Sequence, residues 1–169
     1  MIKKRLEEFN YNVFDSIANK KPILVSGNYD TGYNGMTVSW GGFGVLWNTN
    51  VFYVFVRKSR YSHEIIDKSE RITLSFLPDK YNNEKNIFGS LSGRDIDKFN
   101  KTGLHHTYEV DYDGYYIPEA DYVLRGKVLA KFDLHKKDIP QEIKDKFYKD
   151  DDIHTMYVCK IIDYLVNED

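Results

Sequence analysis

The run of cations and hydroxyls in Arg57-Lys-Ser-Arg-Tyr-Ser62 is the part of the sequence best suited to chemistry. It follows an apolar run that is predicted to be a strand, and Ser62 is a favourable N-cap for a helix over 63–68. The free amides and positive dipole end of such a helix would face the same point as Arg57 and Arg60. Arginine forks make bidentate contacts with phosphate oxygens. The run therefore predicts a phosphate site, and the alternative interpretation is a solvated surface turn.

A glycine-rich segment from Asn34 to Trp47 lies shortly before this run. Residues 36–43 alternate as a strand does, so that hydroxyls share one face, one pleat repeat apart, and apolar side chains share the other. The hydroxyls belong to Thr37 and Ser39, and the apolar face holds Met36, Val38 and Trp40. Hydroxyls, close-approaching glycine amides and a tryptophan, Trp40 or Trp47, would suit a flat ring with polar edges. The two segments together predict a site for a phosphorylated aromatic cofactor, unless this one is a half-buried strand with core tryptophans.

A third polar cluster occupies residues 90–98. Its donors are Ser92, Arg94 and Lys98, which could close a ligand site as a polar lid. The alternative interpretation is a helix C-cap at Ser92-Gly93. Surface ion pairs would then follow the cap, joining Arg94 to Asp97 or Asp95 to Lys98.

The remaining reactive residue types do not form a recognisable catalytic set. No Gly-x-x-x-x-Gly-Lys run occurs, which argues against nucleoside triphosphate hydrolysis. His105 and His106 are adjacent and would diverge in a strand, so we predict no metal site. His154 precedes the last predicted strand, as a turn residue or as a proton donor at a site mouth. Cys159 alternates within that strand and is expected to be structural, so no catalytic side chain is predicted.

Composition limits the class of protein. The chain has 169 residues with 41% hydrophobic and 15% aromatic content, which favours one domain with β structure. The net charge of −2 gives no electrostatic reason to expect nucleic acid or an anionic membrane as a partner. One cysteine cannot form an internal disulfide, and the sequence shows neither a signal peptide nor an apolar run long enough to span a membrane. A soluble, cytoplasmic protein is therefore expected.

Hydrophobic periodicity predicts about seven strands with only short helices between them. Strand patterns occur in nine runs, some of them short, namely residues 22–27, 36–43, 45–47, 51–56, 71–77, 108–112, 115–117, 120–132 and 155–166. The predicted helices cover residues 63–68, 87–91, 95–102 and 141–148, whereas 28–35 is predicted to be a turn and 80–86 a polar connection. This pattern favours a mainly β fold with short helices, of the β-barrel type.

Several motifs in the same order resemble the flavin reductase-like family, and its flavoredoxin branch in particular. These motifs are Asn34-x-Met-Thr-Val-Ser-Trp-Gly-Gly42, Leu46-Trp-Asn48, Phe55-Val-Arg-x-x-Arg-Tyr-Ser62, Leu74-Ser-Phe76 and Ser92-Gly-Arg-Asp-x-Asp-Lys98. The likeness runs from about Pro22 to about Gly103 and returns at His154-Thr-Met-Tyr-Val158. The chain departs from the family at Cys159-Lys160, where Gly-Glu is common, and at Lys58-Ser59, where a proline is common.

The resemblance implies an FMN-binding split β-barrel with Greek-key topology and six strands, formed as a homodimer with one FMN per subunit near the interface. It implies a single domain over 1–169, with an N-terminal arm or helix over 1–20 and a helical insertion over 135–150. By analogy, the ring of FMN would contact Met36, Thr37, Val38, Ser39 and Trp40. Its phosphate would be bound by Arg57, Arg60, Tyr61 and Ser62. The site would be closed by Ser92, Gly93, Arg94 and Lys98.

Two functions are compatible with such a site. The first is an FMN-dependent oxidoreductase of the NAD(P)H:flavin reductase type, with a small molecule or a protein as electron acceptor. The second is a flavoredoxin-like electron carrier between protein partners, without NAD(P)H oxidation of its own. A flavin-binding module without redox turnover is a third interpretation. In each case the flavin supplies the redox chemistry, and the protein positions and tunes it.

Overall fold

The computed structural model describes residues 1–168, so the last position of the predicted 1–169 domain lies outside the described residues. Most regular structure in this range is β-strand, as the aromatic and β-branched content predicts. The strands are β1 (Ile2–Lys4), β2 (Ile23–Asn28), β3 (Gly32–Thr37), β4 (Gly41–Leu46), β5 (Thr49–Arg57), β6 (Arg71–Phe76), β7 (Thr107–Glu109), β8 (Gly114–Tyr116), β9 (Tyr122–Asp133) and β10 (His154–Val166).

Short helices and single turns connect these strands. The α-helices are α1 (Tyr61–Ser69), α2 (Asn82–Ser90), α3 (Lys98–Thr102) and α4 (Gln141–Phe147). Single turns of 3₁₀ type occur at Leu6–Glu8, Asp79–Tyr81 and Lys136–Asp138, and a π-helical turn occurs at Asp15–Asn19. The N-terminal arm therefore contains a strand as well as helical turns, and the predicted insertion over 135–150 contains α4.

The main sheet is antiparallel and runs in the order β3-β2-β6-β9-β10-β5-β4, with β1 added to β10. Its end strands, β3 and β4, are joined by residues 38–40 alone, so the sheet must curl until its two ends approach each other. The resemblance implied six strands, whereas this sheet has eight within residues 1–168. The difference arises because the predicted strand 36–43 is divided and the N-terminal arm contributes β1.

Apolar side chains fill the curled sheet and also cover part of its outside. Leu24, Phe52 and Tyr157 belong to the interior core, and all three are fully buried. Neighbouring residues of β2, such as Ile23, face outward into a second core with Phe88 of α2. Because both faces of β2 are buried, the strand reads as a continuous apolar run rather than as an alternating one. The two cores fix α2 and α3 against the sheet.

The strongest patterns gave the correct strands. Predicted strands 22–27, 51–56, 71–77, 120–132 and 155–166 match β2, β5, β6, β9 and β10 to within two residues at each end. The hairpin around Asp113-Gly114 is confirmed as β7 and β8, with Asp113 in the left-handed region at φ 53°. β3 begins at Gly32, inside the segment 28–35 that was predicted to be a turn.

The prediction of one strand over 36–43 is wrong. β3 ends at Thr37 and β4 begins at Gly41, and the backbone N–H of Val38 donates to the carbonyl of Pro22 in the link between them. Gly41 has φ 156°, and a Cβ there would lie 2.3 Å from the carbonyl oxygen of Tyr53. The glycine thus allows a backbone path that breaks the alternation.

This break separates the two hydroxyls that were predicted to lie side by side. The Thr37 hydroxyl donates to the carbonyl of Lys85 at the inner end of the link. Ser39 is exposed on the link itself and is not paired in either strand. They therefore do not form the hydroxyl pair expected from the pleat.

Three helix starts also differ from the sequence prediction: α1 begins at Tyr61 instead of residue 63, α2 at Asn82 instead of residue 87, and α3 at Lys98 instead of residue 95. Ser62 is not the N-cap of α1: Arg60 is the N-cap, without a side-chain capping bond, and the buried Ser62 Oγ accepts a hydrogen bond from Asn34 at 2.8 Å. That tertiary contact competes with capping for the hydroxyl. α2 begins at Asn82, within the predicted polar connection 80–86, because Lys85 and Phe88 are buried on its inner face.

Candidate functional site

Two adjoining pockets open where β3 and β5 end and α1 begins. The first, here called the basic pocket, has a volume of about 210 Å³ and is lined by Asn34, Met36, residues 59–62 and 90–93, and Lys98. The second, here called the aromatic pocket, has a volume of about 200 Å³ and is lined by residues 36–40, Phe55, Arg57, Arg60, Phe147 and His154. Met36 and Arg60 line both pockets, so the two form one continuous site.

The structure brings together nearly all of the residues that the sequence predicted to bind a cofactor. Every one of them except Arg94 lines the basic pocket, the aromatic pocket or both. They come from the end of β3 and its link to β4, the β5–α1 loop, and the α2–α3 loop with the start of α3. These elements lie far apart in sequence and meet only because the sheet curls.

Arg60 is the cation of the site whose side chain makes the fewest polar contacts with the rest of the protein. Within residues 1–168, its guanidinium makes neither a hydrogen bond nor a salt bridge with another side chain or carbonyl. Its backbone carbonyl accepts from the N–H of His63 in the first turn of α1. The first-turn amides of Tyr61 and Ser62 lie at the same pocket, and α1 has no side-chain cap. The guanidinium and the uncapped N-terminus of α1, a helix of nine residues, together form an anion site in chemical terms.

Lys98 supplies a second cation to the basic pocket. Its side chain is buried, and its ammonium donates to the carbonyls of Phe88 and Leu91, at 3.2 Å each, near the C-terminal end of α2. An ammonium has three donors, so these contacts leave one for a ligand. Burial lowers the pKa of Lys98 to about 8, and the charge of Arg60 adds to this shift. A bound anion would offset both effects.

The wall of the basic pocket that contains Asn34, Ser62 and Gly93 is closely packed. Ser62 accepts from Asn34, and Asn34 in turn lies against Gly93. A Cβ on Gly93 would come within 2.0 Å of the Asn34 side-chain oxygen. The neighbouring Ser92 hydroxyl accepts from the backbone N–H of Arg94 at 3.1 Å, which orders the loop. Gly93 is therefore needed for the α2–α3 loop to approach β3.

The other two arginines are engaged with the protein rather than with the basic pocket. Arg94 does not line either pocket, because its guanidinium donates to the carbonyl of Ser59, at 2.8 Å, and pairs with the carboxylate of Glu64. Arg57 donates to the carbonyls of Phe147, at 2.6 Å, and Asp152, at 2.9 Å. These contacts differ from the phosphate contacts expected for Arg57, and they join the basic loop to the chain before β10.

Aromatic side chains form most of the second pocket. Trp40 packs edge-on against Phe147, with ring centroids 5.2 Å apart and an interplanar angle of 89°. The ring of His154 lies 4.8 Å from that of Trp40 and 6.5 Å from that of Phe55. Apolar walls of this type bind a flat ring by stacking and edge contacts. Trp47, the other candidate, lies at the exposed β4–β5 turn and lines neither pocket.

His154 is the clearest residue that the sequence left undecided. It is buried in the aromatic pocket, where its Nδ1 lies 2.9 Å from the hydroxyl of Tyr148. Burial, together with the nearby charge of Arg57, lowers the pKa of His154 to about 4, so the imidazole is neutral at pH 7. Phe55 and Phe147 were missed altogether, since an aromatic residue in a strand or a helix carries no sign of a site.

Other candidates fall outside the site. Cys159 is fully buried, and burial raises the pKa of its thiol, which makes it a poor nucleophile. Among the residues described, no three His, Cys, Asp or Glu side chains are grouped in a way that could hold a metal ion. No helix in residues 1–168 is long and apolar enough to cross a membrane.

Comparison with known proteins agrees with this geometry. The sequence model of the family described as "Flavin reductase like domain" matches residues 15–169. The comparison with curated proteins found no match. Flavoredoxin of Desulfovibrio vulgaris (Miyazaki F) is 21% identical with a TM-score of 0.68, over 99% of this chain and 78% of that one.

Two further solved structures have the same fold. An FMN-binding protein from Thermus thermophilus with bound p-hydroxybenzaldehyde is 18% identical with a TM-score of 0.68, over 99% of this chain and 83% of that one. A split barrel domain protein from Shewanella frigidimarina is 15% identical with a TM-score of 0.68, over 92% of this chain and 71% of that one. The predicted split-barrel fold is thereby confirmed.

Proposed function

The chain belongs to the flavin reductase-like family, and from that premise we propose that it is an FMN-dependent oxidoreductase of the NAD(P)H:flavin reductase type. The observation that carries this proposal is the junction of the basic and aromatic pockets at Arg60 and Met36. FMN has a phosphate at one end and a three-ring isoalloxazine at the other. A cationic pocket that opens into an aromatic one matches both ends of that molecule.

The donor set of the basic pocket fits the phosphate. Arg60 would bind it with its fork, the amides of Tyr61 and Ser62 would face it along the axis of α1, and Lys98 would add a buried charge. Ser92 and Gly93 would close the pocket through the α2–α3 loop. The proposal leaves Arg57 out of the phosphate set and Arg94 out of the residues that close the site, because both guanidinium groups are engaged with the protein.

The link 38–40 and the aromatic pocket would hold the ring. Backbone amides of this link and the Ser39 hydroxyl would contact the polar edge of the ring, while Trp40 and Phe147 would exclude water from it. When bound, FMN supplies the electron transfer chemistry. The neutral imidazole of His154 would hydrogen-bond at the pocket without adding a charge.

An electron carrier is the second candidate, and the small volume of the aromatic pocket favours it. If the isoalloxazine ring fills the aromatic pocket, whose volume is about 200 Å³, little room is left there for a nicotinamide beside the flavin. A carrier would pass electrons to a protein partner without stacking a second ring.

Anaerobic reduction distinguishes the two candidates. Purified protein is saturated with FMN and its absorbance is followed on addition of NADH and then NADPH. Bleaching within seconds by either nucleotide supports the reductase. FMN that dithionite reduces but neither nucleotide does would overturn the reductase in favour of the carrier.

We also propose that the protein forms a homodimer. The register aligns Phe55, Met156 and Phe132 in one row across β5, β10 and β9, and Phe132 is largely exposed. Phe55 and Met156 are half-buried, so the row is a partly exposed apolar strip, which suits burial against a second copy. Light scattering at two concentrations tests the proposal, and a monomer mass at both would contradict it.

A further inference from the structure

Arg57, at the end of β5, forms hydrogen bonds with the segment that leads from the end of α4 to β10. The two guanidinium bonds to the carbonyls of Phe147 and Asp152 span this segment, and a third contact of 3.3 Å reaches the Asp150 carboxylate. A planar guanidinium can make such divergent bonds at once because its donors are fixed in a fork. The Arg57 side chain is only 24% exposed, so these bonds are partly shielded from water.

A second set of contacts holds the same segment. The backbone N–H and hydroxyl of Ser59 both donate to the Asp152 carboxylate, at 3.2 and 2.5 Å. The Arg57 guanidinium also lies 5.4 Å over the ring of Tyr148. Tyr148 is buried and hydrogen-bonds to His154 in the aromatic pocket. The segment 147–152 is thus held at its first residue, in its middle and at its end.

This fastening determines where Phe147 lies. Because Arg57 binds the Phe147 carbonyl directly, the ring is held edge-on against Trp40 and forms one wall of the aromatic pocket. With Phe147 in this position, the pocket volume of about 200 Å³ suits one flat ring system. Phe147 lines one side of this space, where its ring would obstruct a second large ring that approaches from that side.

We propose that Phe147 is a specificity-determining residue and that Arg57 is the residue that positions it. Together they favour electron acceptors of one ring over acceptors of three rings. The inference rests on the proposed function, since bound FMN is taken as the source of electrons. It assigns to Arg57 a role in access to the ring instead of in phosphate binding.

The test uses the oxidative half-reaction, so that it does not depend on NAD(P)H. FMN-saturated protein is reduced with one equivalent of dithionite and mixed with 1,4-benzoquinone or with the three-ring phenanthrenequinone. Each turnover moves two electrons and two protons from reduced FMN to the quinone, which gives oxidised FMN and the hydroquinone. The ratio of the two rates is compared between variants, because intrinsic quinone reactivity cancels in that comparison.

Phe147→Ala is expected to raise the three-ring rate relative to the one-ring rate by about tenfold, the size of effect that one steric change in a pocket produces. Arg57→Ala is expected to change the ratio in the same direction. Arg57→Lys keeps the charge but lacks the fork, so we expect an intermediate ratio. Ile143→Ala, on the exposed face of α4 and outside both pockets, is the matched control and should leave the ratio unchanged.

Three outcomes would overturn the inference. If every variant binds FMN and the ratio of the two quinone rates is unchanged, this inference is wrong while the proposed function stands. If Arg57→Ala loses as much of the preference for FMN over riboflavin as Arg60→Ala does, then Arg57 binds the phosphate, and its assigned role at Phe147 is wrong. Parent protein that binds no FMN would overturn the proposed function, and this inference with it, before any quinone is added.

Discussion

Arg60 and Lys98 present two cations to one pocket from different elements, and neither is neutralised by a carboxylate within residues 1–168. Lys98 contacts only carbonyl oxygens and a face of the Phe88 ring, 5.5 Å from its centroid. The lowered pKa of Lys98 reflects its burial first and its repulsion by the charge of Arg60 second. A phosphate dianion between them would replace repulsion with two charge-assisted hydrogen bonds.

In the proposed site, Lys98 would make FMN binding dependent on pH. Its pKa is about 8 in the free site, and a bound phosphate must raise it, so binding is strongest when the lysine is already protonated. We expect FMN affinity to fall by about tenfold as the pH rises from about 7 to about 9. Fluorescence titrations of FMN at several pH values measure this slope.

Lys98→Met is the control for this slope. The substitution keeps an unbranched side chain, one atom shorter than that of lysine, and removes the titrating ammonium. Affinity should be lower at neutral pH and should no longer decrease above pH 8. A variant with the slope of the parent would show that another group is responsible.

At the scale of residues, the sequence shows the type and spacing of the side chains, but not which partners each side chain binds. Arg57, Arg60 and Arg94 are equivalent in a list of cations near a strand end. Only the folded chain shows that carbonyls of a segment some ninety residues away engage Arg57, at separations of 90 and 95 positions. The free guanidinium of Arg60 follows from this difference, and no local pattern could have predicted it.

At the scale of elements, the site depends on the link 38–40 between the two ends of the sheet. Gly41 permits the link because its φ of 156° and its contact with the Tyr53 carbonyl leave no space for a side chain. Trp47 and Asn48 have φ of 50° and 54°, which makes a tight turn that fixes β4 on β5. The turn and the glycine together set where Ser39 and Trp40 lie.

Gly41→Ala should destabilise the protein and disturb the ring site. A Cβ placed 2.3 Å from a backbone oxygen forces the link to shift, at a cost of about 1–3 kcal/mol in the free energy of unfolding. Gly44→Ala in the same strand is the matched control, because a Cβ there meets nothing within 4 Å. Urea unfolding of both variants measures the difference, and equal midpoints would contradict this role for Gly41.

The alternation of residues 36–43 shows why element boundaries were harder to predict than elements. The same polar and apolar alternation continues from β3 through the link, so periodicity alone carries no sign of the break. The break comes from long-range contacts, namely the Val38–Pro22 hydrogen bond and the Gly41–Tyr53 approach. In contrast, residues 51–56 are β-branched or aromatic throughout, and pattern was sufficient there.

At the scale of the whole molecule, a buried ion pair joins β9 to β10. Arg125 and Asp163 form two bonds of 2.6 and 2.5 Å, and Lys3 of β1 adds a third contact at 3.0 Å. The register shifts between Ile161 and Asp163, which brings the carboxylate opposite Arg125. The Asp163 carboxylate, positioned by this bulge, therefore links three strands of the sheet, namely β1, β9 and β10.

Asp163→Asn should cost about 3–5 kcal/mol in the free energy of unfolding, because it leaves Arg125 charged and buried without its partner. Urea unfolding at neutral pH measures the loss. Asp30→Asn, at an exposed carboxylate in the β2–β3 turn, is the control and should change stability by less than about 0.5 kcal/mol. Equal losses in the two variants would contradict the role of the pair.

The same pair predicts how stability depends on acid. Burial raises the pKa of Asp163, but hydrogen bonds and charge from Arg125 and Lys3 outweigh this, so the pKa lies below its usual range. The contribution of the pair is therefore complete above the unfolded pKa of about 4 and is lost as the pH falls through the folded pKa. The parent should lose more stability on acidification than Asp163→Asn, and parallel curves would contradict this.

The most direct test of the central claim compares FMN with riboflavin, which lacks only the phosphate. Calorimetric titrations of the parent and of Arg60→Ala give four dissociation constants. We expect the parent to prefer FMN by about tenfold or more, the value of one or two charge-assisted hydrogen bonds. Arg60→Ala should lose most of that preference while riboflavin binds as before. Equal affinities for FMN and riboflavin in the parent would contradict a phosphate site at Arg60.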